Sequence, residues 1–124
     1  MAVALVSACD AETTRPRVRL DLRLESKDIA ALREVIAEFA QAEGFAIHNF
    51  GPEMPPRDGR RFVWLQLTRG EATRVDLDNF MEADHFFVAF YDLRSDPRFN
   101  ETVSRLQEAI NARWPGQLTT YAGK

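Results

Sequence analysis

Apolar and charged residues alternate without interruption over residues 17–25. Val18, Leu20, Leu22 and Leu24 are apolar, and Arg17, Arg19, Asp21, Arg23 and Glu25 stand between them. A period of two predicts a strand with one dry face and one wet face. The period then lengthens. Ile29, Leu32, Val35, Ile36 and Phe39 recur at helical spacing, behind Ser26 as a cap and Asp28 in the first turn. Gly44 supplies the stop. Residues 45–50 predict a short strand. Residues 51–60 hold three prolines and two glycines, a composition that predicts a stiff exposed loop.

Residues 62–68 are apolar on both faces, which predicts an interior place in a sheet. Residues 69–71 form a hairpin turn. Residues 73–79 return with Val75 and Leu77 inward and Arg74, Asp76 and Asp78 outward. A connection over residues 79–84 leads to a strand at 85–91. Asp96 followed by Pro97 marks a second helix start. Phe99, Val103, Leu106, Ile110 and Trp114 line its apolar face, Pro115 and Gly116 end it, and residues 118–121 predict a last edge strand.

This order of elements predicts an α+β fold: an antiparallel sheet of four to five strands with two helices on one face. The arrangement resembles the ferredoxin-like sandwich in element order alone, and that architecture hosts many unrelated functions. A length of 124 residues fits one domain, assigned to residues 17–124.

Alternation also predicts what the far face of the sheet carries. With Val63, Leu65 and Leu67 turned to the helices, Phe62, Trp64, Gln66 and Thr68 turn away. His85, Phe87, Ala89 and Tyr91 join them, and the first strand adds Arg17, Arg19 and Arg23. Two readings stand. In one, Trp64, Phe87 and Tyr91 anchor a contact with a partner or a second copy, completed by Phe62, His85 and Arg19, because large uncovered apolar patches mark contacts. In the other, the C-terminal segment or the proline-rich loop folds over the face.

Composition removes several classes. A net charge of −3 gives no electrostatic basis for nucleic-acid binding. A single cysteine excludes an internal disulfide and any cysteine-based zinc cluster. His48 and His85 are the only histidines, and Asp84 and His85 point to opposite faces of a strand, so no metal site is expected. Glu71, Asp76, Asp78, Glu82 and Asp84 lack calcium-loop spacing and read as a solvated charged edge. No phosphate-binding loop, Gly-x-Ser-x-Gly or His-Glu-x-x-His is present, so no catalytic residue or cofactor is assigned. An enzyme is not excluded, since catalytic groups need not lie close in sequence; a non-catalytic role is favoured.

The first residues carry the clue to location. Leu5-Val6-Ser7-Ala8-Cys9 resembles the lipobox of bacterial lipoproteins: a short apolar run, small residues at the cut, and the cysteine that takes the lipid. The resemblance implies that residues 1–9 are the remnant of a lipoprotein signal ending at lipidated Cys9. It implies a domain anchored to a membrane of the bacterial cell envelope and facing the periplasm or the exterior. Residues 10–16 would then be a tether of about 25 Å at full extension. The expected function is a small envelope lipoprotein with a non-catalytic protein-binding domain, in an accessory or immunity-type role. The alternative is a soluble homodimer that binds or transforms a small ligand over its aromatic sheet face.

Overall fold

Burial along the four inner strands follows the alternation of their side chains, and this decides which face meets the helices. The computed structural model describes residues 15–50 and 62–122. Cys9, most of the 10–16 tether and the 51–60 loop lie outside the described residues. The elements run β1 (Val18–Arg23), α1 (Ile29–Glu43), β2 (Ala46–Asn49), β3 (Trp64–Arg69), β4 (Thr73–Glu82), β5 (His85–Asp92), α2 (Phe99–Arg113) and β6 (Leu118–Ala122). The strands form one sheet in the order β2-β3-β4-β5-β1-β6, antiparallel throughout. Six strands pair where four to five were expected, because the short segments at 46–49 and 118–122 both join as edges.

Leu20, Leu22, Leu65, Leu67, Val75, Leu77, Phe86, Val88 and Phe90 point to one side of the sheet. They form a single buried cluster with Leu32, Val35, Ile36 and Phe39 of α1 and Phe99, Val103, Leu106 and Ile110 of α2. Both helices therefore cover the same face. The apolar stripes predicted for them are the stripes that become buried, with Ile29 and Trp114 at the margins.

The helix starts differ in detail from expectation. A 3-10 turn, Ser26–Asp28, precedes α1, and Glu25 stands at its cap rather than Ser26. The Asp28 carboxylate accepts the Glu25 N–H at 3.3 Å, and the Asp28 N–H donates to the Glu25 carbonyl at 2.9 Å. Gly44 ends α1 with φ at 78°, a left-handed geometry that favours glycine, and both Gly44 and Phe45 donate to the Ala40 carbonyl. α2 begins at Phe99, beyond the expected Pro97. Asp96 organises the approach: its carboxylate accepts the Arg98 N–H at 2.9 Å and its carbonyl accepts the Phe99 N–H at 3.0 Å.

β4 runs three residues past the expected end at Asn79 and carries an irregularity between Asp78 and Glu82. Asn79 is fully buried there. Its Oδ1 accepts the Val63 N–H at 2.7 Å and its Nδ2 donates to the Ala83 carbonyl at 3.0 Å. A polar side chain on the dry face thus ties the entry of β3 to the β4–β5 turn, and burying it is tolerable because both ends of the amide are bonded.

Charges close the opposite end of the helix layer. Glu43, at the end of α1, is 5% exposed although ionisable. Arg69, Arg98 and Arg105 converge on its carboxylate at 3.8, 3.5 and 3.0 Å. The C-terminal end of α1 is thereby joined to β3 and α2. Neutralisation by several cations is what allows a carboxylate to be buried at all.

Candidate functional site

The face of the sheet opposite the helices has no covering segment among the described residues. The C-terminal segment, one of the two expected covers, instead pairs edge-on with β1 as β6. The face is read in rows across the strands. One row runs His48, Gln66, Asp76, Ala89, Arg19, Tyr121. The next runs Trp64, Asp78, Phe87, Asp21, Thr119. Arg74 and Tyr91 are cross-strand neighbours on one side of these rows, and Arg23 and His85 on the other.

All six expected contact residues lie on or at the rim of this face, in separate groups. Trp64 and Phe62 belong to an aromatic cluster at the β3–β4 corner. Phe50 packs on Trp64 with ring centres 4.6 Å apart. Phe80 meets Trp64 edge-on at 5.6 Å and lies 6.4 Å from Phe62. Phe87, His85 and Arg19 form a second group: the His85 and Phe87 rings are 4.3 Å apart, and the Arg19 guanidinium lies 5.4 Å from the Phe87 centroid and 5.0 Å from that of Tyr121. Tyr91 stands apart from both, under the Arg74 guanidinium at 4.2 Å.

Two of the three arginines expected from β1 are used elsewhere. Arg17 turns to Asp92 at 2.6 Å and lies over the Phe99 ring of α2. Arg23 pairs with Glu82 at 3.5 Å, both more than half exposed. Arg19 stays on the face, and Arg74 of β4 is its counterpart.

The carboxylates are the larger correction. Asp76 and Asp78 were expected on a solvated edge, yet β4 lies inside the sheet, with β3 on one side and β5 on the other. Asp78 has Trp64 and Phe87 as its direct cross-strand neighbours, and Asp76 has Gln66 and Ala89. The side chains of Asp21 and Asp76 are only 14% and 20% exposed on a face that no described segment covers. Burial pushes the Asp76 carboxyl above its ordinary range, opposed by the Arg74 charge and a hydrogen bond from Gln66. Burial likewise raises Asp78, opposed by the hydrogen bond that it accepts from the Phe80 N–H at 3.1 Å. Asp21 supplies the carboxylate near His85 that sequence adjacency could not, at 3.7 Å from Nε2.

Within-strand ion pairs hold two of these acids, Arg19 Nε to Asp21 Oδ1 at 3.0 Å and Arg74 Nε to Asp76 Oδ1 at 3.4 Å. Neither contact has hydrogen-bond geometry, and Asp21 Oδ1, Asp76 Oδ1 and Arg74 Nε make no hydrogen bond. Among the described residues, no group of three or more His, Cys, Asp or Glu side chains is placed to hold a metal ion. The arrangement is suited to recognition: rigid aromatic surfaces, two guanidiniums, and acids with spare acceptor capacity.

An open hollow of about 320 Å³ lies elsewhere, lined by Arg23, Leu24, Glu25, Asp28, Asp84, Trp114 and Gln117. It contains none of the aromatic residues of the sheet face. No described helix is long and apolar enough to cross a membrane.

Sequence reasoning missed Phe50 and Phe80 as members of the face. The available signal was the alternation itself, which continues through the polar Asn79 to Phe80. No family model matches this chain, and no curated protein matches it significantly.

Proposed function

We propose that this protein is a small lipoprotein of the bacterial envelope whose α+β domain is a non-catalytic protein-binding module, in an accessory or immunity-type role. The observation that supports the binding role is a sheet face that no described segment covers. It carries Trp64, Phe87, Tyr91, His85 and Arg19 on hydrogen-bonded strands, with Phe62 just before β3, and side chains on such strands need little reordering on contact. Trp, Tyr and Arg are the residue types that dominate binding hot spots. The lipobox resemblance at residues 5–9 supports the anchor, with Cys9 as the acylated residue. We read the architecture as a ferredoxin-like arrangement of β1, β4, β5 and β6 with both helices, widened by β2 and β3.

The test of the binding role is photocrosslinking from position 87 in the full-length protein, in its native host. A covalent adduct with a different polypeptide, lost when the probe is moved to Glu108 on α2, is the expected result. An adduct with a second copy would replace the module with a self-associating domain, and no intermolecular adduct would refute the contact role. Mass spectrometry of the same material tests the anchor: an acylated Cys9 is expected, and an unmodified chain that retains Met1 overturns the placement.

A further inference from the structure

Three carboxylates lie on the open face, and they are not equivalent. Asp21 has Arg19 at 3.0 Å and the His85 imidazole at 3.7 Å. Asp76 has Arg74 at 3.4 Å. Asp78 accepts the Phe80 N–H and, among the described residues, is paired with no cationic side chain. Its surroundings are aromatic. Its direct cross-strand neighbours are Trp64 on β3 and Phe87 on β5, and Phe80 follows on the same face of β4.

One strand spacing on either side of Asp78 places the two aromatic residues about 10 Å apart, with the carboxylate at the base between them. Other groups take the outer flanks of both rings. Phe50 packs on Trp64 from the β2 side, and Arg19 lies on Phe87 from the β1 side. Phe80 of β4 also meets Trp64 edge-on, the His85 ring lies 4.3 Å from that of Phe87, and Asp78 stands in register between Trp64 and Phe87. The same face already shows which chemistry suits its rings, because Arg74 covers Tyr91 and Arg19 covers Phe87. Among the described residues, Asp78 has the acid and the rings of such an arrangement without the cation.

We propose that the Trp64–Asp78–Phe87 row is the seat of an arginine side chain donated by the partner protein. The guanidinium would give its N–H groups to the Asp78 carboxylate and lie against the aromatic flanks. A planar cation that forms forked hydrogen bonds and also stacks on rings suits this seat better than a compact ammonium. The net charge of −3 adds long-range attraction for a basic surface. This inference rests on the protein-binding reading of the face and names the chemistry of its partner.

The test uses the full chain, labelled with nitrogen-15, titrated at low salt with N-acetyl-arginine-amide and, separately, with its uncharged isostere N-acetyl-citrulline-amide. Saturable shifts at the Trp64 indole N–H and at the Asp78 and Phe87 amides are expected with the arginine compound, with about tenfold weaker binding of citrulline. Asp78→Asn is expected to weaken the arginine compound to the same degree while the rest of the spectrum keeps its dispersion. Equal binding of the two compounds, unchanged affinity in Asp78→Asn, or shifts confined to other parts of the domain would each overturn the seat. The isostere comparison decides the matter on wild-type protein even if the variant does not fold. Failure here with a position-87 adduct intact removes the arginine seat and leaves the binding module standing; loss of the adduct removes the module itself.

Discussion

Arg69 and Asp96 meet at 2.8 Å although 27 positions separate them in the chain. The guanidinium also donates to the Thr102 hydroxyl at 2.9 Å and to the Glu43 carbonyl at 3.2 Å, and it lies 4.7 Å over the Phe45 ring. One side chain at the end of β3 thus joins the end of α1, the β5–α2 loop and the first turn of α2. Its own side chain is 14% exposed and that of Asp96 is 8% exposed. Arg69→Met would leave two buried carboxylates short of a cation. We expect a loss of about 3–5 kcal/mol in urea unfolding, the usual effect of removing one partner from a buried pair. A change below about 1 kcal/mol would show the network to be dispensable.

Acid titration separates the carboxylates by sign. Hydrogen bonds from Thr73 and Arg69 hold the Asp96 carboxyl at about 2, below the ordinary 3.8. A depressed native value means that its stabilisation is present above the ordinary value and is lost as pH falls from 3.8 toward about 2. Asp76 and Asp78 are raised by burial, so the native state binds their protons more tightly and their contribution declines as pH rises through the raised values. Asp96→Asn should therefore flatten the acid limb of the stability profile. Asp78→Asn should raise stability at neutral pH by a small amount, under about 1 kcal/mol. Urea midpoints across a pH series check both signs.

Asn79→Ala is expected to cost about 2–3 kcal/mol. The Val63 N–H would lose its buried acceptor, and a buried unpaired donor carries the full desolvation penalty. Slower amide exchange is not an alternative outcome: the Val63 amide should exchange faster in the variant, and an unchanged rate would contradict the bond seen at 2.7 Å.

Leu32, 1% exposed in the α1 stripe, tests the helix layer. Leu32→Ala should destabilise by about 2–5 kcal/mol. By contrast, Trp64→Ala combined with Phe87→Ala should leave a cooperative unfolding transition while abolishing the position-87 contact. That contact is then read with the probe at position 91 on the same face. Loss of folding in the double variant would reassign these rings to the core.

Ser95 sits in the left-handed region with φ at 51°, directly before Asp96. Ser95→Gly should relieve backbone strain and gain about 0.5–1 kcal/mol, provided the Asp92 carboxylate keeps its bond to the Asp96 N–H at 2.8 Å. A lower urea midpoint in this variant would show that the serine side chain contributes more than its backbone strain removes.

What was legible in the sequence was what local periodicity controls. Val18 to Leu24 alternates cleanly with its charged neighbours, Phe86 to Tyr91 is a continuous apolar run that reads as an interior strand, and the stripes from Leu32 to Phe39 and from Phe99 to Ile110 name the buried faces. What was hidden depends on which strands become neighbours. Asp76 reads as edge chemistry until β5 is known to lie beside β4. Asp21 becomes the acid near His85 because β1 pairs with β5, and nothing in the spacing of the two residues announces it. Arg69 looked like part of a turn because its partners come from three distant segments. Asn79 stopped the strand prediction early because a polar residue at an inward position is indistinguishable in sequence from a loop residue. Of the candidate face, the ring positions on β3 and β5 were readable; the acids that separate them were misplaced.

β1 lies between β5 and β6, so the first strand of the domain pairs with its last two. Until both of those have been made, the edges of β1 stay incompletely paired and its leucines have no floor to rest on. Such remote pairing slows folding and holds it back until the whole domain has been synthesised.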